Sequence, residues 1–173
     1  MKNQYSNNKQ RAKVYIDGAN IFYAQKHLGW TIDWKKITAF LKRKFNVLEI
    51  RYYTGIKNQD DKMNKYLSYL RSLNIKTITK PLKIIQDQTG RTIYKSNCDI
   101  EIAIDVLLNV NNFDVLILFS GDSDFVYLIK TLQREFQKQI HVFSSRRTIS
   151  WEIKLSVNKF WFIEDLKKEI KRR

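Results

Sequence analysis

The run Val115-Leu116-Ile117-Leu118 constrains this chain more than any other feature. Four apolar residues without an intervening polar one make a strand buried on both faces, and such strands belong inside a parallel sheet. The run ends in Phe119-Ser120-Gly121-Asp122-Ser123-Asp124-Phe125, and an apolar pattern of helical spacing follows. Gly121 lets the backbone bend sharply at this junction. Two carboxylates therefore stand at a strand-to-helix turn, where an open α/β sheet carries its chemistry.

The same alternation extends along the chain. Strands are predicted at Lys13–Asp17, Val47–Thr54, Ile75–Thr79, Asp114–Phe119 and Gln139–Phe143, with a last short one at Phe160–Ile163. Helices are predicted at Ala19–Leu28, Trp34–Lys44 behind an Asp33 cap, Asp61–Leu73, Asp99–Asn109, Ser123–Phe136 and Ile149–Leu155. Lys83-Ile84-Ile85 and Thr92-Ile93-Tyr94 flank Asp87-Gln88-Thr89-Gly90, a hairpin signal. The expected fold is α/β: a Rossmann-like three-layer sandwich with a central, mostly parallel sheet, helices on both faces and a small hairpin. If the five main strands take the order 3-2-1-4-5, the first and fourth are neighbours at the switch point. No Pro-, Gly- or Ser-rich linker divides the chain. Residues 13–163 are expected to form one domain, between a disordered polar tail (1–12) and a basic helical tail (164–173).

Charge narrows the function. The 173 residues hold 32 Lys and Arg against 17 Asp and Glu, a net charge of +15. Such a surplus suits a polyanionic partner, nucleic acid first, although a lysine-rich proteome yields the same surplus. Cys98 is the single cysteine. That excludes an internal disulfide and fits a cytoplasmic location. No apolar run approaches the ~20 residues of a membrane span, and the polar N-terminus lacks the apolar core of a signal peptide. A homodimer is compatible with the sequence but not supported by it.

Three carboxylates converge in this fold. Asp17 ends the first strand and Asp122 follows the fourth, so the two face one crevice. On a helical wheel, Ile100, Ile102, Ala103, Ile104, Val106, Leu107 and Leu108 fill a wide apolar arc, and Glu101, Asp105 and Asn109 fill the polar one. Asp99 falls within the apolar arc and aims at the protein body; the plain alternative is an N-cap. Clustered carboxylates repel one another, and hard divalent cations, Mg²⁺ or Mn²⁺, relieve the repulsion. Such centres perform phosphoryl chemistry on a metal-activated water. Asp124 is a further candidate ligand, or else a first-turn carboxylate favoured by the helix dipole. Asn20 lies one helical turn past Asp17, within reach of a water or phosphate oxygen. Ser120 and Ser123 can hydrogen-bond the carboxylates, although Ser123 also suits a cap. His27, His141 and Cys98 form no zinc pattern, and Asp17-Gly18-Ala19-Asn20 is no phosphate loop.

These motifs resemble a known family. Val14-Tyr15-Ile16-Asp17-Gly18-Ala19-Asn20-Ile21-Phe22, then Lys95, Asp99 and Asp105, then Ser120-Gly121-Asp122-Ser123-Asp124-Phe125, are similar to the NYN domain of the LabA-like group, relatives of PIN-domain nucleases. Ser150, Glu152 and Phe160 echo its closing pattern. The resemblance implies a PIN-like fold and a metal-dependent nuclease acting most often on RNA. It implies that Asp17, Asp99, Asp122 and Asp124 form the acidic site with Asn20 as polar companion. Asp105 also matches, but the wheel places it on the polar face, where a lysine outside the site can pair with it. Asn97, Cys98, Tyr127 and Gln137 depart from the family pattern without removing a carboxylate.

Lys95, Arg146 and Arg147, with Lys80 and Lys83, are candidate phosphate contacts. Tyr23, Trp30, Trp34 and Tyr127 are candidates for stacking unpaired bases. The expected activity is endoribonucleolytic, on RNA with single-stranded DNA as a further candidate substrate. The alternatives are an RNA-binding or regulatory module of the same fold that does not cleave, and a phosphatase of small esters. A charge of +15 is excessive for the latter.

Overall fold

The structure, a computed structural model, describes residues 9–86, 92–95 and 97–172, with backbone alone at 84–85 and 92–95. The chain runs β1 (Arg11–Asp17), α1 (Gly18–Leu28), α2 (Trp34–Lys44), β2 (Asn46–Ile56), α3 (Asp61–Ser72), β3 (Ile75–Pro81), β4 (Lys83–Gln86), β5 (Thr92–Lys95), α4 (Asp99–Leu108), β6 (Val115–Phe119), α5 (Val126–Phe136), β7 (Gln139–Ser144), α6 (Trp151–Ser156), β8 (Lys159–Phe162) and α7 (Lys167–Ile170). The sheet order is β3-β2-β1-β6-β7-β8, and every pairing is parallel. Leaving out the β4-β5 hairpin, this is the expected 3-2-1-4-5 order, with β8 added as a sixth strand beyond β7.

Strand alternation sets the two faces. Ala12, Val14 and Ile16 of β1 and Val115, Ile117 and Phe119 of β6 pack with α1, α2, α3 and α7. Tyr15 of β1 and Leu116 and Leu118 of β6 pack with α4, α5 and α6. All five residues of β6 are fully buried, as an unbroken apolar run in a central strand requires.

Two expectations at the edges change. Residues 164–172 are no free tail: α7 packs against α2, Ile163 and Ile170 are fully buried, and the Asp33 N–H donates to the Ile170 carbonyl at 2.8 Å. Ile163, Leu166 and Ile170 share one helical face, and α2 offers the apolar partner. At the other end, Arg11 and Ala12 belong to β1, while 1–8 lie outside the described residues.

Helix α4 is turned differently from the wheel expectation. Its polar arc faces the sheet. Glu101 pairs with Lys80 at 2.8 Å, Asp105 with Arg51 at 2.8 Å, and Asn109 accepts from Lys13 Nζ at 2.6 Å. Only Ile102 and Val106 of its apolar residues are buried. Ile100, Ile104, Leu107 and Leu108 are exposed. The reason is the polar underside of β1–β3: Lys13, Arg51, Tyr53 and Lys80 attract the polar arc, and a wheel drawn from the helix alone cannot register them.

Candidate metal centre at the carboxyl edge of the sheet

Strands β1 and β6 lie side by side, with Ile16 opposite Phe119. Beyond their carboxyl ends α1 leaves toward one face and α5 toward the other, which opens a crevice between them. Two glycines let the backbone close up there. A Cβ on Gly18 would come within 2.5 Å of the Tyr53 carbonyl, and one on Gly121 within 2.2 Å of the Thr148 carbonyl. Gly121 is thus required by close approach of the Thr148–Ile149 backbone rather than by a left-handed bend; among the described glycines only Gly29 has positive φ.

Asp99, Asp122 and Asp124 each place a carboxylate oxygen within 4.8 Å of the other two. Asp122 caps the turn Ser123–Phe125, its Oδ1 accepting from the Asp124 N–H at 3.0 Å. Asp99 opens α4 but does not cap it. The helix is preceded by Asn97, whose Oδ1 accepts the Asp99 N–H at 2.8 Å. Asp99 Oδ2 is buried without a hydrogen-bond partner. Burial pushes the Asp99 carboxyl up to about 6; the Asn97 side chain opposes this, and the charges of Asp17, Asp122 and Asp124 add to it. No Lys or Arg bonds to any of the three among the described residues. An all-oxygen set with one orphaned, desolvated oxygen fits a hard divalent cation.

Asp17 is not one of the trio. It is 6% exposed and its oxygens are engaged. Oδ1 accepts the Asn20 N–H at 3.1 Å, as the cap of α1, and Oδ2 accepts the Ser120 hydroxyl at 3.1 Å. Burial raises its pKa, those hydrogen bonds lower it, and the Asp122 charge raises it further. Ser120, fully buried, accepts the Asp122 N–H at 3.2 Å through the same oxygen. Asn20 Oδ1 accepts the Gly121 N–H at 3.1 Å. Asp17, Asn20 and Ser120 thereby tie the ends of β1 and β6 together. Ser123 is exposed and Asp122 performs the capping that its position suggested.

The remaining candidates separate. Asp105 lies outside the cluster, and its partners are Arg51 and the Tyr53 hydroxyl, which donates at 2.6 Å, rather than a lysine. Arg146 is committed to Asp165 at 2.6 Å and lies over the Phe162 ring at 4.0 Å. Arg147 is exposed and has no ion pair among the described residues. Lys80 is bound to Glu101. The Lys95 side chain lies outside the described residues. Trp30 and Trp34 are core, whereas Tyr23 and Tyr127 are exposed, each three residues along the chain from Asn20 and Asp124 respectively. Asn97 was legible only as a family departure. Its signal is an Asn two residues ahead of an apolar helical run, a position from which its side-chain oxygen can accept a first-turn N–H of the helix. No helix among the described residues is long and apolar enough to cross a membrane.

Comparison with known proteins identifies the family and the fold. The family model of the NYN domain matches residues 11–164. The chain is 31% identical to the low amplitude and bright protein LabA of Synechococcus elongatus over 166 residues, covering 94% of this chain and 88% of that one. Its fold is similar to the crystal structure of a protein of unknown function, VPA0982, from Vibrio parahaemolyticus. That likeness has a TM-score of 0.80 at 22% identity and covers 99% of this chain and 100% of the other. The chain therefore belongs to the NYN domain family, as a LabA-like member with a PIN-like α/β fold.

Proposed function

We propose that this protein is a metal-dependent endoribonuclease of the cytoplasm in which Asp99, Asp122 and Asp124 hold Mg²⁺ or Mn²⁺. The observation that carries the reading is the trio of carboxylates within 4.8 Å, one of whose oxygens is buried without a partner. Membership of a PIN-like nuclease family supports it. A divalent cation held there would supply Lewis acidity and would lower the pKa of a bound water below its bulk value. The chain's own groups do the positioning. Ser120 bridges Asp17 to the Asp122 N–H and fixes the turn that carries Asp122 and Asp124. Asn20 clips that turn to α1. Asn97 accepts the Asp99 N–H and fixes the start of α4, which carries the Asp99 carboxylate.

The substrate class follows from charge and exposure. A surplus of +15 attracts a polyanion. Tyr23 and Tyr127 offer exposed rings on which unpaired bases of RNA, or of single-stranded DNA, can stack. Arg147 and Lys95 are assigned to phosphate contact. The test is cleavage of labelled single-stranded RNA with Mg²⁺, with Mn²⁺ and with a chelator. The wild type is expected to cut in either metal, and Asp122→Asn to cut in neither. RNA bound tightly but never cut identifies a non-cleaving RNA-binding module instead. Hydrolysis of a small phosphate ester but not of RNA identifies a phosphatase.

A further inference from the structure

Helix α4 carries an apolar face that is exposed among the described residues. Ile100 is 72% exposed, Ile104 52%, Leu107 41% and Leu108 76%. The helix is apolar around most of its circumference, and a helix of that kind is ordinarily buried on more than one side. Its polar residues give no reason for the exposure, since Glu101, Asp105 and Asn109 turn inward to Lys80, Arg51 and Lys13. Asp99–Leu108 contains no Lys or Arg, in a chain of net charge +15. This face offers nothing to a phosphate backbone, which is read by cations.

We infer that α4 is the symmetric interface of a homodimer, packed against α4 of a second copy. Three features select a second copy as the occupant. Ile100, Ile104 and Leu108 stand four residues apart and form one continuous ridge, with Ala103 and Leu107 as the ridge beside it. Identical ridges of this i±4 type fit into each other's grooves. The spacing is also symmetric about Ile104, so a two-fold axis there sets Ile100 of each copy against Leu108 of the other. A closed two-fold contact requires this self-complementarity. The area agrees as well. The exposed fractions amount to on the order of 400 Å² of apolar surface per copy, the size of the largest apolar patch on a typical protein surface, which is often functional. That is about half of the ~800 Å² each partner contributes to a standard interface, the share expected of an apolar core inside a polar rim. Finally, Glu101 and Asp105 are neutralised within their own chain, so neither brings an unpaired charge to the contact.

The experiment uses the full chain after nuclease treatment and in high salt, so that nucleic acid cannot bridge two molecules. Light scattering after size exclusion is expected to give the dimer mass for the wild type. Ile104→Lys is expected to give the monomer mass with an unchanged circular dichroism spectrum, because the site is half exposed. A second variant guards against misfolding. In a Cys98→Ala background, Ile104→Cys is expected to form an intermolecular disulfide under mild oxidation, whereas Leu155→Cys, on α6 and more exposed at 69%, is not. A monomeric wild type overturns the proposal. So does a dimer that survives Ile104→Lys, or cross-linking through Leu155→Cys alone. Each readout is independent of catalysis, so failure here and failure of the nuclease assignment are distinguishable.

Discussion

Asp99 and Asp105 lie on the same helix and meet opposite surroundings. Asp105 receives Arg51 at 2.8 Å and the Tyr53 hydroxyl at 2.6 Å. Arg51 also donates to Glu49, which is shared with Lys13. Charge in that network alternates. At the start of the helix, Asp99 has Asp122 and Asp124 as neighbours and no cation among the described side chains. A chain with 32 basic residues has no shortage of cations to place there. The contrast separates carboxylates paired with cations in the fold from carboxylates that have none among the described side chains, and the proposed metal site rests on the latter. Functional sites are where such perturbed groups concentrate.

The largest effect that can break this contrast is catalytic. Asp122→Asn is expected to lower metal-dependent RNA cleavage by at least about 100-fold, since it removes a ligand and its charge together. Asp105→Asn is expected to leave cleavage per folded molecule within a few fold. Equal losses in both variants, measured as initial rates on the same RNA, would erase the distinction.

Metal linkage comes next. A cation that binds only the folded chain stabilises it by about 2.7 kcal/mol at a hundredfold excess over Kd. Mn²⁺ is therefore expected to raise the melting temperature of the wild type and of Asp105→Asn. It should leave Asp99→Asn and Asp122→Asn nearly unmoved. A shift retained in those two places the cation elsewhere.

Without metal, the ranking inverts. Asp105→Asn breaks the pair with Arg51 beneath α4 and is expected to destabilise by about 1–3 kcal/mol in denaturant titration. Asp99→Asn relieves repulsion and is expected to stabilise the metal-free protein.

That last gain is the smallest effect, and pH sharpens it. The Asp99 carboxyl titrates at about 6 in the folded chain, above its unfolded value of about 3.9. The folded state therefore holds the proton more tightly, and stability falls as pH rises from about 4 through about 6. Asp99→Asn should match the wild type near the lower limit and exceed it above the upper one. Asp99 is only half buried, so solvent screening keeps the difference modest. A constant difference across that window would locate its origin away from Asp99 ionisation.

Much of this arrangement was legible in the sequence. The parallel sheet follows from Val115–Phe119, whose unbroken apolar run can lie only in a central strand. The convergence of Asp17 and Asp122 follows from neighbouring strand ends at the switch point. What escaped depends on contacts between distant segments. The wheel of α4 could not show which side faces a sheet whose underside carries Lys13, Arg51 and Tyr53. Asp17, expected beside Asp99 in the acidic site, has its oxygens engaged by the Asn20 N–H and the Ser120 hydroxyl, contacts that a spacing argument cannot weigh. Capping was the alternative for Asp99, but it is Asp17 and Asp122 that cap. Gly121 pointed to a bend, whereas the approaching Thr148 carbonyl is what excludes a side chain there.

The central claim is that Asp99, Asp122 and Asp124 form one cation site. Anomalous diffraction from crystals soaked in Mn²⁺ tests it most directly. A peak is expected within about 2.0–2.6 Å of an oxygen from each of the three. A peak only at Asp105 or another surface carboxylate, with none among these three, would contradict it.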